Sequence, residues 1–566
     1  MRLRSGLLWL SLLAAPLLPL AAQHNVLTYH NDVARTGQNL AETTLSTSNV
    51  NSATFGKLFQ ATLDGLVDAQ PLYVAGVSIP SHGTHNVLIA ATENDSLYAL
   101  DADTGAQLWK VALLATGETA SDNRGCGQVT PQIGITSTPV IWLKPGTTEG
   151  VIYAVAMSKD SSGNYHQRLH KMSLATGNPL AAAVEITGKY PGTGDDSSGG
   201  YVLFDPKQYK ERSGLLLLGG VVYLGWASHC DIPPYTGWIM GYNATTLAQT
   251  SVIDVTPNGA EGAIWGAGAG LAADSSGHIY FLDANGTFDT TLNSQGFPIN
   301  GDYGNAFIKL SAAGGQLTVT DYFTMFNTTS ESDGDVDLGS GGALVLPDMT
   351  DANGQVRHLA IGAGKDSNIY LVDRDNMGKF NPQNDSAIYQ ELDGALPGGI
   401  WSMPAYYRGQ VYFGAVGGPI RAFRFSKAVL SSTPVSTTGT QFPYPGATPS
   451  ISANGAANGI LWAVENNSPA VLHAYLASNL AQELYNTNQA ANGRDNFGAG
   501  NKFMVPTIAN GKVYVGTPNG VAAFGLLSQP ALTAPTSTKK LIDVEKSEVR
   551  TRSQNRRATT DELPGF

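Results

Sequence analysis

The sequence predicts an all-β fold, an eight-bladed β-propeller of four-stranded blades. Three observations support this prediction. Charged residues make up 14% of the chain, against roughly 25% in typical soluble proteins, and 65 glycines favour many short strands and turns over helices. A short strand-opening motif recurs along the chain. Finally, a strand-like segment near the N-terminus matches a strand that the last repeat lacks.

The clearest unit is the segment 96–113, which predicts two strands joined by a tight turn. Asp101 can accept hydrogen bonds from nearby backbone N–H groups, and Gly105 can adopt a positive φ. Trp109 stands on the returning strand. Because a two-stranded hairpin is marginal in isolation, we expect this unit to belong to a larger sheet.

The strand-opening motif consists of small residues, often with Pro, followed by β-branched or aromatic residues. Its copies begin near 70–73, 137–140, 214–217, 268–271, 341–344, 403–406, 448–451 and 505–508. Uneven spacing indicates inserted loops, the longest over roughly 186–212. Eight copies predict eight blades, and seven blades are the alternative because the third copy has no Pro.

The two ends of the repeat region are expected to join in one blade. Residues 55–63 alternate as a strand, and Phe59 aligns with Trp109, yet nothing before this strand supplies the rest of a blade. The last copy ends at 527 after three strands. Pairing these segments would close the ring and remove both sheet edges. We therefore assign 55–527 to the propeller and 23–54 to an N-terminal arm.

Both termini fall outside the repeat pattern. Arg2 and Arg4 precede an apolar run that ends at Ala22, which is typical of a signal peptide over 1–22 and is short for a membrane span. Residues 528–566 lose all periodicity and predict a disordered tail. We expect an exported protein, periplasmic or extracellular, with no transmembrane segment in the mature chain.

The pattern Ala99-x-Asp101-x-x-Thr104-Gly105-x-x-x-Trp109 resembles the repeat of quinoprotein β-propellers, a family in which the Trp docks against the neighbouring blade. The segments 29–32 with 35–37, 228–231 with 235–238, and 502–506 are similar to those of exported PQQ (pyrrolo-quinoline quinone) repeat proteins. This resemblance covers roughly 24–527. It implies the propeller fold and no assigned reaction.

The resemblance also raises the question of a bound quinone. Quinoprotein alcohol dehydrogenases hold PQQ between a Trp and a disulfide of adjacent cysteines, with a Ca²⁺ ion beside it. This chain has no adjacent cysteines and no Cys-x-x-Cys-His motif for haem attachment. Trp265, Trp401 and Lys502 are the candidate residues for binding such a planar ligand, and packing within the blades is the alternative for the two tryptophans.

Asp333, Asp335 and Asp337 form a candidate Ca²⁺ site, because carboxylates at alternate positions supply the hard oxygen ligands that Ca²⁺ prefers. Gly339 stands one place late for an EF-hand loop. The histidines show no paired spacing on one element, so a zinc site is not expected.

In a propeller, the residues before each inner strand and the loops between second and third strands meet at one end of the channel. This rule gathers Asp68, Gln70, Gln132, Arg212, Trp265, Asp337, Trp401, Lys502, His229, Cys230, Asp231, Lys365 and Asp366. These side chains could bind a polar ligand, or they could satisfy one another and cap the channel.

Cys126 and Cys230 are the two cysteines of the chain, and both are expected at this channel end. In an exported protein they can form a disulfide, and the alternative is two buried thiols.

The net charge of −12 and the lack of a basic stripe argue against a nucleic-acid partner. The leading hypothesis is a propeller scaffold that binds an unknown protein or a small polar ligand and lacks the usual quinone site. The alternative is a divergent PQQ-dependent oxidoreductase. The sequence does not assign a catalytic role to any residue.

Overall fold

The computed structural model describes residues 24–528. The predicted signal peptide at 1–22 and, apart from Ser528, the predicted tail at 528–566 lie outside the described residues. Within 24–528 the chain is mostly β, and its sheets contain two to six strands. Eight of these sheets have four or more strands and are numbered here as sheets 1 to 8 in chain order, each described by four antiparallel strands. A strand follows each of the eight predicted motif copies.

The strands of sheets 1 to 4 are as follows. Sheet 1 contains Leu72–Ile79, Gly83–Ala91, Ser96–Asp101 and Gln107–Ala112. Sheet 2 contains Val140–Leu143, Gly150–Lys159, Tyr165–Ser173 and Val184–Glu185. Sheet 3 contains Leu216–Leu218, Val221–Ser228, Trp238–Asn243 and Gln249–Asp254. Sheet 4 contains Ala272–Ala273, His278–Leu282, Phe307–Ser311 and Thr318–Phe323.

The remaining four sheets follow the same order. Sheet 5 contains Leu344–Val345, Leu359–Gly362, Ile369–Asp373 and Gln390–Leu392. Sheet 6 contains Ala405–Tyr407, Gln410–Gly414, Ile420–Ser426 and Ser436–Thr437. Sheet 7 contains Ser450–Asn454, Ala457–Glu465, Val471–Leu476 and Glu483–Asn486. Sheet 8 contains Thr507–Ala509, Lys512–Thr517, Gly520–Leu526 and the N-terminal strand Phe55–Thr62.

Shorter elements extend these sheets or form two small sheets of their own. The extra strands are Gln38–Asn39, Thr119–Asp122, Gln132–Ile133, Lys189–Pro191, Ser197–Ser198, Tyr201–Leu203, Tyr209–Glu211, Met349–Thr350, Val356–Arg357 and Val429–Leu430. One α-helix, Thr328–Asp333, lies within the described residues. The 3₁₀ turns are Gly266–Gly268, Ala313–Gly315, Leu338–Ser340, Thr487–Gln489 and Ala491–Gly493.

The predicted hairpin forms in sheet 1, and its turn chemistry is that of the sequence. The Asp101 carboxylate accepts hydrogen bonds from the backbone N–H of Asp103 at 3.0 Å and of Thr104 at 2.7 Å. Gly105 has φ +77°, a conformation that glycine adopts at little cost. These local bonds fix the register in which the two strands pair.

Aromatic side chains join consecutive sheets. Trp109 of sheet 1 donates its indole N–H to the carbonyl of Leu174 at 3.2 Å, and a Cβ at Gly177 would lie 2.7 Å from its ring. Phe59 of sheet 8 repeats this contact on Gly105 of sheet 1, where a Cβ would lie 2.5 Å from the ring. The docking expected from the quinoprotein resemblance is therefore present, and Phe59 performs it at the position predicted by alignment.

The two ends of the repeat region meet in sheet 8. Phe55–Thr62 pairs antiparallel with Gly520–Leu526, so that Phe55 faces Leu526 and Thr62 faces Gly520. The last repeat thus receives its fourth strand from the N-terminal side of the chain. This pairing satisfies backbone groups that would otherwise form an exposed sheet edge.

The N-terminal arm contacts all eight sheets near their first strands. Hydrogen bonds from residues 26–39 reach Tyr73, Ile141, Leu215, Ala273, Val345, Tyr406, Ile451 and Ile508, one residue for each sheet in order. The arm is therefore hydrogen-bonded within or next to the first strand of each of the eight sheets.

Arg35 is the main anchor of the arm and is fully buried. Its guanidinium donates to the carbonyl of Leu271 at 3.0 Å, to the carbonyl of Tyr29 at 2.8 Å and to the hydroxyl of Thr28 at 2.7 Å. One Arg35 side chain thus connects the arm to itself and to the start of sheet 4.

Among residues 24–528, no helix is long and apolar enough to cross a membrane.

Candidate functional site

A cavity of about 230 Å³ lies where the residues before several first strands meet the loops between second and third strands. Trp265, Asp337 and Trp401 line it from the approaches to sheets 4, 5 and 6. Asp231 and Lys365 line it from loops of sheets 3 and 5. The structure thus brings five of the residues selected from sequence to one cavity, although they are widely separated along the chain.

Sequence reasoning missed other lining residues. Gln128, Tyr444 and Phe503 precede the first strands of sheets 2, 7 and 8, and Asn285 follows the second strand of sheet 4. They obey the same positional rule as the residues that were selected. Applying that rule to neutral and aromatic side chains, and not mainly to charged ones, would have found them.

Lys365 is the central charged group of the cavity. Its ammonium lies 2.6 Å from the Asp337 carboxylate and also bonds Asp335. Burial lowers the pKa of Lys365, but the two carboxylates outweigh burial and hold it above its ordinary value. Burial raises the pKa of Asp337 even though Lys365 opposes this change. The three groups form an ion cluster of one cation and two anions.

Of the three predicted Ca²⁺ ligands, Asp335 and Asp337 line the cavity and Asp333 does not, and Ca²⁺ binding itself stays a prediction. Asp333 is exposed at the end of the helix Thr328–Asp333, and the other two carboxylates bind Lys365. Within the described part of the chain, no three His, Cys, Asp or Glu side chains are placed to hold a metal ion. Asp335 and Asp337 thus meet at one ammonium group, which lies where a cation ligand shared by both carboxylates would lie.

Two side chains of the cavity lining have hydrogen-bond acceptor capacity that the described residues do not use. Asn285 is 6% exposed and donates its amide N–H to Asp335 at 2.8 Å, while its carbonyl oxygen has no partner among the described residues. The Asp231 carboxylate accepts from the hydroxyls of Ser228 and Tyr235, both at 3.0 Å. No lysine, arginine or histidine within residues 24–528 forms an ion pair with Asp231.

Four aromatic side chains line the cavity: Trp265, Trp401, Tyr444 and Phe503. Cations lie over three of these rings, with Lys210 4.8 Å from the centre of Trp265, Arg212 4.4 Å from Phe503 and Lys502 5.7 Å from Tyr444. Trp401 instead meets Tyr444 edge-on at 5.7 Å. The predicted ligand residue Lys502 thus stands beside a cavity ring and does not line the cavity.

Behind Phe503 lies a buried ionic cluster. Arg212 bonds the carboxylate of Asp68 at 3.3 Å. Burial and the nearby Asp68 raise the pKa of Glu93 to about 8. Burial and Arg212 lower the pKa of Lys210 to about 7. Arg212 and Asp68 form the ion pair of this cluster, and all four groups lie outside the cavity lining.

Other residues selected for the channel end are engaged elsewhere. Gln70 accepts from the backbone N–H of His30 at 2.8 Å, and Gln132 donates to Asn94 at 2.7 Å. Asp366 accepts from the Tyr370 hydroxyl. These side chains serve the arm and the blade loops, so the set chosen from sequence was broader than the cavity.

The two cysteines form the expected disulfide. The Cα atoms of Cys126 and Cys230 are 5.6 Å apart across a sequence separation of 104 residues. The bridge joins the loop that carries Gln128 to the loop that carries Asp231, and both of these residues line the cavity. The disulfide therefore holds two segments of the cavity wall together.

No protein-family model matches this chain, and no curated protein matches it by sequence. Solved structures do resemble it in fold. A quinohemoprotein alcohol dehydrogenase from Comamonas testosteroni has a TM-score of 0.59 at 14% identity, covering 90% of this chain and 81% of its own.

A second quinohemoprotein alcohol dehydrogenase, from Pseudomonas putida HK5, has a TM-score of 0.58 at 14% identity and covers 90% of this chain and 82% of its own. A europium-containing methanol dehydrogenase has a TM-score of 0.55 at 11% identity, covering 89% and 98%. The chain therefore has the PQQ-like β-propeller fold. At these identities the likeness establishes the fold alone.

Proposed function

We propose that this protein is an exported propeller that binds a small polar ligand in the cavity lined by Trp265, Trp401, Asp337 and Lys365. The observation that carries the proposal is the convergence of these side chains from separate sheets on one concave site. A few polar groups placed among aromatic walls are typical of small-molecule sites. We further propose that the eight sheets are eight blades closed by the strand Phe55–Thr62.

The alternative role of these residues is to cap the channel by satisfying one another. Lys365, Asp335 and Asp337 do so. Trp265 and Trp401 take no part in these ion pairs, although they line the same cavity. Aromatic walls beside a few polar groups are typical of small-molecule sites. This composition favours a binding site over a structural cap.

Export is part of the proposal for two reasons. The predicted signal peptide would direct it, and the Cys126–Cys230 disulfide suits an oxidising compartment.

The quinone-dependent alternative fits these residues poorly. Trp265 or Trp401 could cover one face of a planar ring, but the adjacent-cysteine disulfide of the family is lacking. The cavity of about 230 Å³ is below the roughly 300 Å³ at which pockets for drug-sized ligands begin. The cavity lining holds three carboxylates, Asp231, Asp335 and Asp337, of which the last two are already bound to Lys365, whereas Ca²⁺ would need six to eight oxygens. We therefore derive no chemical step through a metal-bound quinone.

Native mass spectrometry of the protein purified from the cells that make it tests the proposal. We expect a retained mass of a small organic molecule in the wild-type protein. Trp401→Ala should lose this mass because it removes a cavity wall. Trp142→Ala should keep it, because Trp142 is 43% exposed and is not part of the cavity lining.

Reconstitution with PQQ and Ca²⁺ provides the opposing test. We expect no dye-linked oxidation of alcohols or sugars. Oxidation that requires added PQQ and disappears in Asp337→Asn would replace the proposal with the oxidoreductase. A wild-type protein that retains no small molecule and binds neither PQQ nor any member of a metabolite panel would contradict ligand binding in this cavity.

A further inference from the structure

Two carboxyl groups are buried without a bonding partner. Asp95 is fully buried in the turn between the second and third strands of sheet 1, and Glu211 is 4% exposed on the strand Tyr209–Glu211, which pairs with sheet 3. Both oxygens of each carboxyl lack a hydrogen-bond partner among the described residues and have almost no surface that water could reach. An ionised carboxylate in such a place would lose its solvation without compensation.

The charged groups around Asp95 are mainly acidic. Glu93 comes from the same turn, and Glu118 comes from the loop after sheet 1. Arg168 of sheet 2 is the cation that lies near, but its guanidinium bonds Glu118 at 2.8 Å and Glu185 at 2.7 Å. The positive charge beside Asp95 is therefore already shared by two other carboxylates.

The surroundings of Glu211 are mostly neutral. Arg212 is the charged group that lies close to it, and the Arg212 guanidinium bonds the carboxylate of Asp68 at 3.3 Å. The Ser137 hydroxyl, from the approach to sheet 2, also lies near and has no hydrogen-bond partner among the described residues. A neutral carboxyl can donate its O–H to an oxygen such as that of Ser137, whereas an ionised carboxylate can only accept.

We propose that Asp95 and Glu211 are protonated in the folded protein, so that folding binds two protons at any pH where the unfolded carboxyls are ionised. This inference goes beyond the proposed ligand site and does not depend on it, since neither residue lines the cavity. For an exported protein, the stability of the fold would then follow the pH of the medium.

Electrostatics support this inference and set its direction. Burial raises the pKa of Asp95 well above its ordinary value, and Glu93 and Glu118 add to the rise. Burial also raises the pKa of Glu211 well above its ordinary value, although its two polar neighbours oppose this change. The unfolded carboxyls ionise near pH 4. Above that pH, each group makes the unfolding equilibrium constant rise about tenfold per pH unit, until its folded pKa is passed.

Infrared difference spectroscopy at pH 7 tests the protonation directly, because a protonated carboxyl has a C=O stretch separate from the bands of carboxylates and amides. Asp95→Asn and Glu211→Gln should each remove part of this band from the wild-type spectrum. Asparagine tolerates the φ of 54° at position 95, and both amides are close in shape to the neutral acids, so the variants should fold. Asp393→Asn is the matched control, because Asp393 is exposed and its replacement should leave the band unchanged.

Stability against pH provides the second readout. In denaturant titrations, the unfolding equilibrium constant of the wild type should rise from pH 5 to pH 6 by a factor about ten times larger than in either single variant. The double variant should show a factor about a hundred times smaller than the wild type, because neither amide can bind the proton. Asp393→Asn should keep the pH dependence of the wild type.

The two readouts decide the inference whichever way they fall. A protonated-carboxyl band that neither variant changes would overturn it, as would variants whose stability depends on pH as steeply as that of the wild type. A band lost in one variant only would overturn it for the other residue. If a variant does not fold, the wild-type spectrum decides, because a protein without a protonated-carboxyl band at pH 7 contradicts the inference. None of these outcomes changes the test of ligand binding in the cavity.

Discussion

Replacing Arg35 with alanine should destabilise the whole propeller, although Arg35 lies in an arm outside the repeat sheets. The guanidinium makes three charge-assisted hydrogen bonds of 3.0 Å or less, to Leu271, Tyr29 and Thr28. Burial lowers the pKa of Arg35 to about 10, which reflects a cost of charge burial that truncation would remove. We therefore use the low end of the range, about 1.5 kcal/mol per bond, and expect a loss of about 4–5 kcal/mol in the free energy of unfolding.

The expected change in melting temperature is modest because the domain is large. Unfolding entropy is about 2.1 cal/mol/K per residue, so a unit of about 500 residues has about 1 kcal/mol/K. The loss for Arg35→Ala then corresponds to a decrease of about 4 °C. Differential scanning calorimetry measures this shift, with Arg424→Ala, an exposed strand position, as the control. An Arg35→Ala protein that melts within 1 °C of the control would refute the anchoring role of the arm.

Three further predictions concern the rest of the fold. Deleting residues 24–63 removes the fourth strand of sheet 8 and should cause aggregation or loss of cooperative unfolding, whereas an unchanged melting temperature would contradict closure by this strand. Cys126 and Cys230 should yield no titratable thiol in the denatured, unreduced protein, and two thiols would disprove the bridge. Reducing the bridge should lower the free energy of unfolding by up to ~4.7 kcal/mol in the chain-entropy model. Burial lowers the pKa of His473, but its bonds to Glu465 and Glu483 outweigh burial and raise it. This stabilisation is complete below the unfolded pKa of about 6.5 and is lost as pH rises through the folded pKa. His473→Gln should therefore lower the melting temperature more at pH 6 than at pH 9. The opposite trend would be inconsistent with the ion pairs.

The similar solved structures show the fold of this chain and leave its function open. Three solved structures that resemble this chain at TM-scores of 0.55 to 0.59 are dehydrogenases, but at identities of 11% to 14% the likeness shows the fold alone. A propeller fold hosts many activities, so the functional argument has to come from the cavity. There, Trp265, Trp401, Asp337 and Lys365 converge from separate sheets on one concave site.

The sequence by itself determined the local units of this protein. The Asp101 turn, the strand after each motif copy, and the place of Phe59 opposite Trp109 all depend on residues close together in the chain, where backbone geometry and alternation decide the outcome. Positional reasoning also brought Trp265 and Trp401 to one channel end, because each blade repeats the same path.

The tertiary structure alone decided which charges pair. Asp335 and Asp337 were predicted as metal ligands, and in the structure both bind Lys365 from another loop. The hydrogen bond from Asn285 to Asp335 likewise joins two loops that no motif connects. Coulomb energy and hydrogen bonding depend on distances of a few ångströms, and loops from different sheets set those distances. Sequence separation carries no such distance, so the site's residue types could be anticipated but its ion pairs and its remaining free acceptor could not.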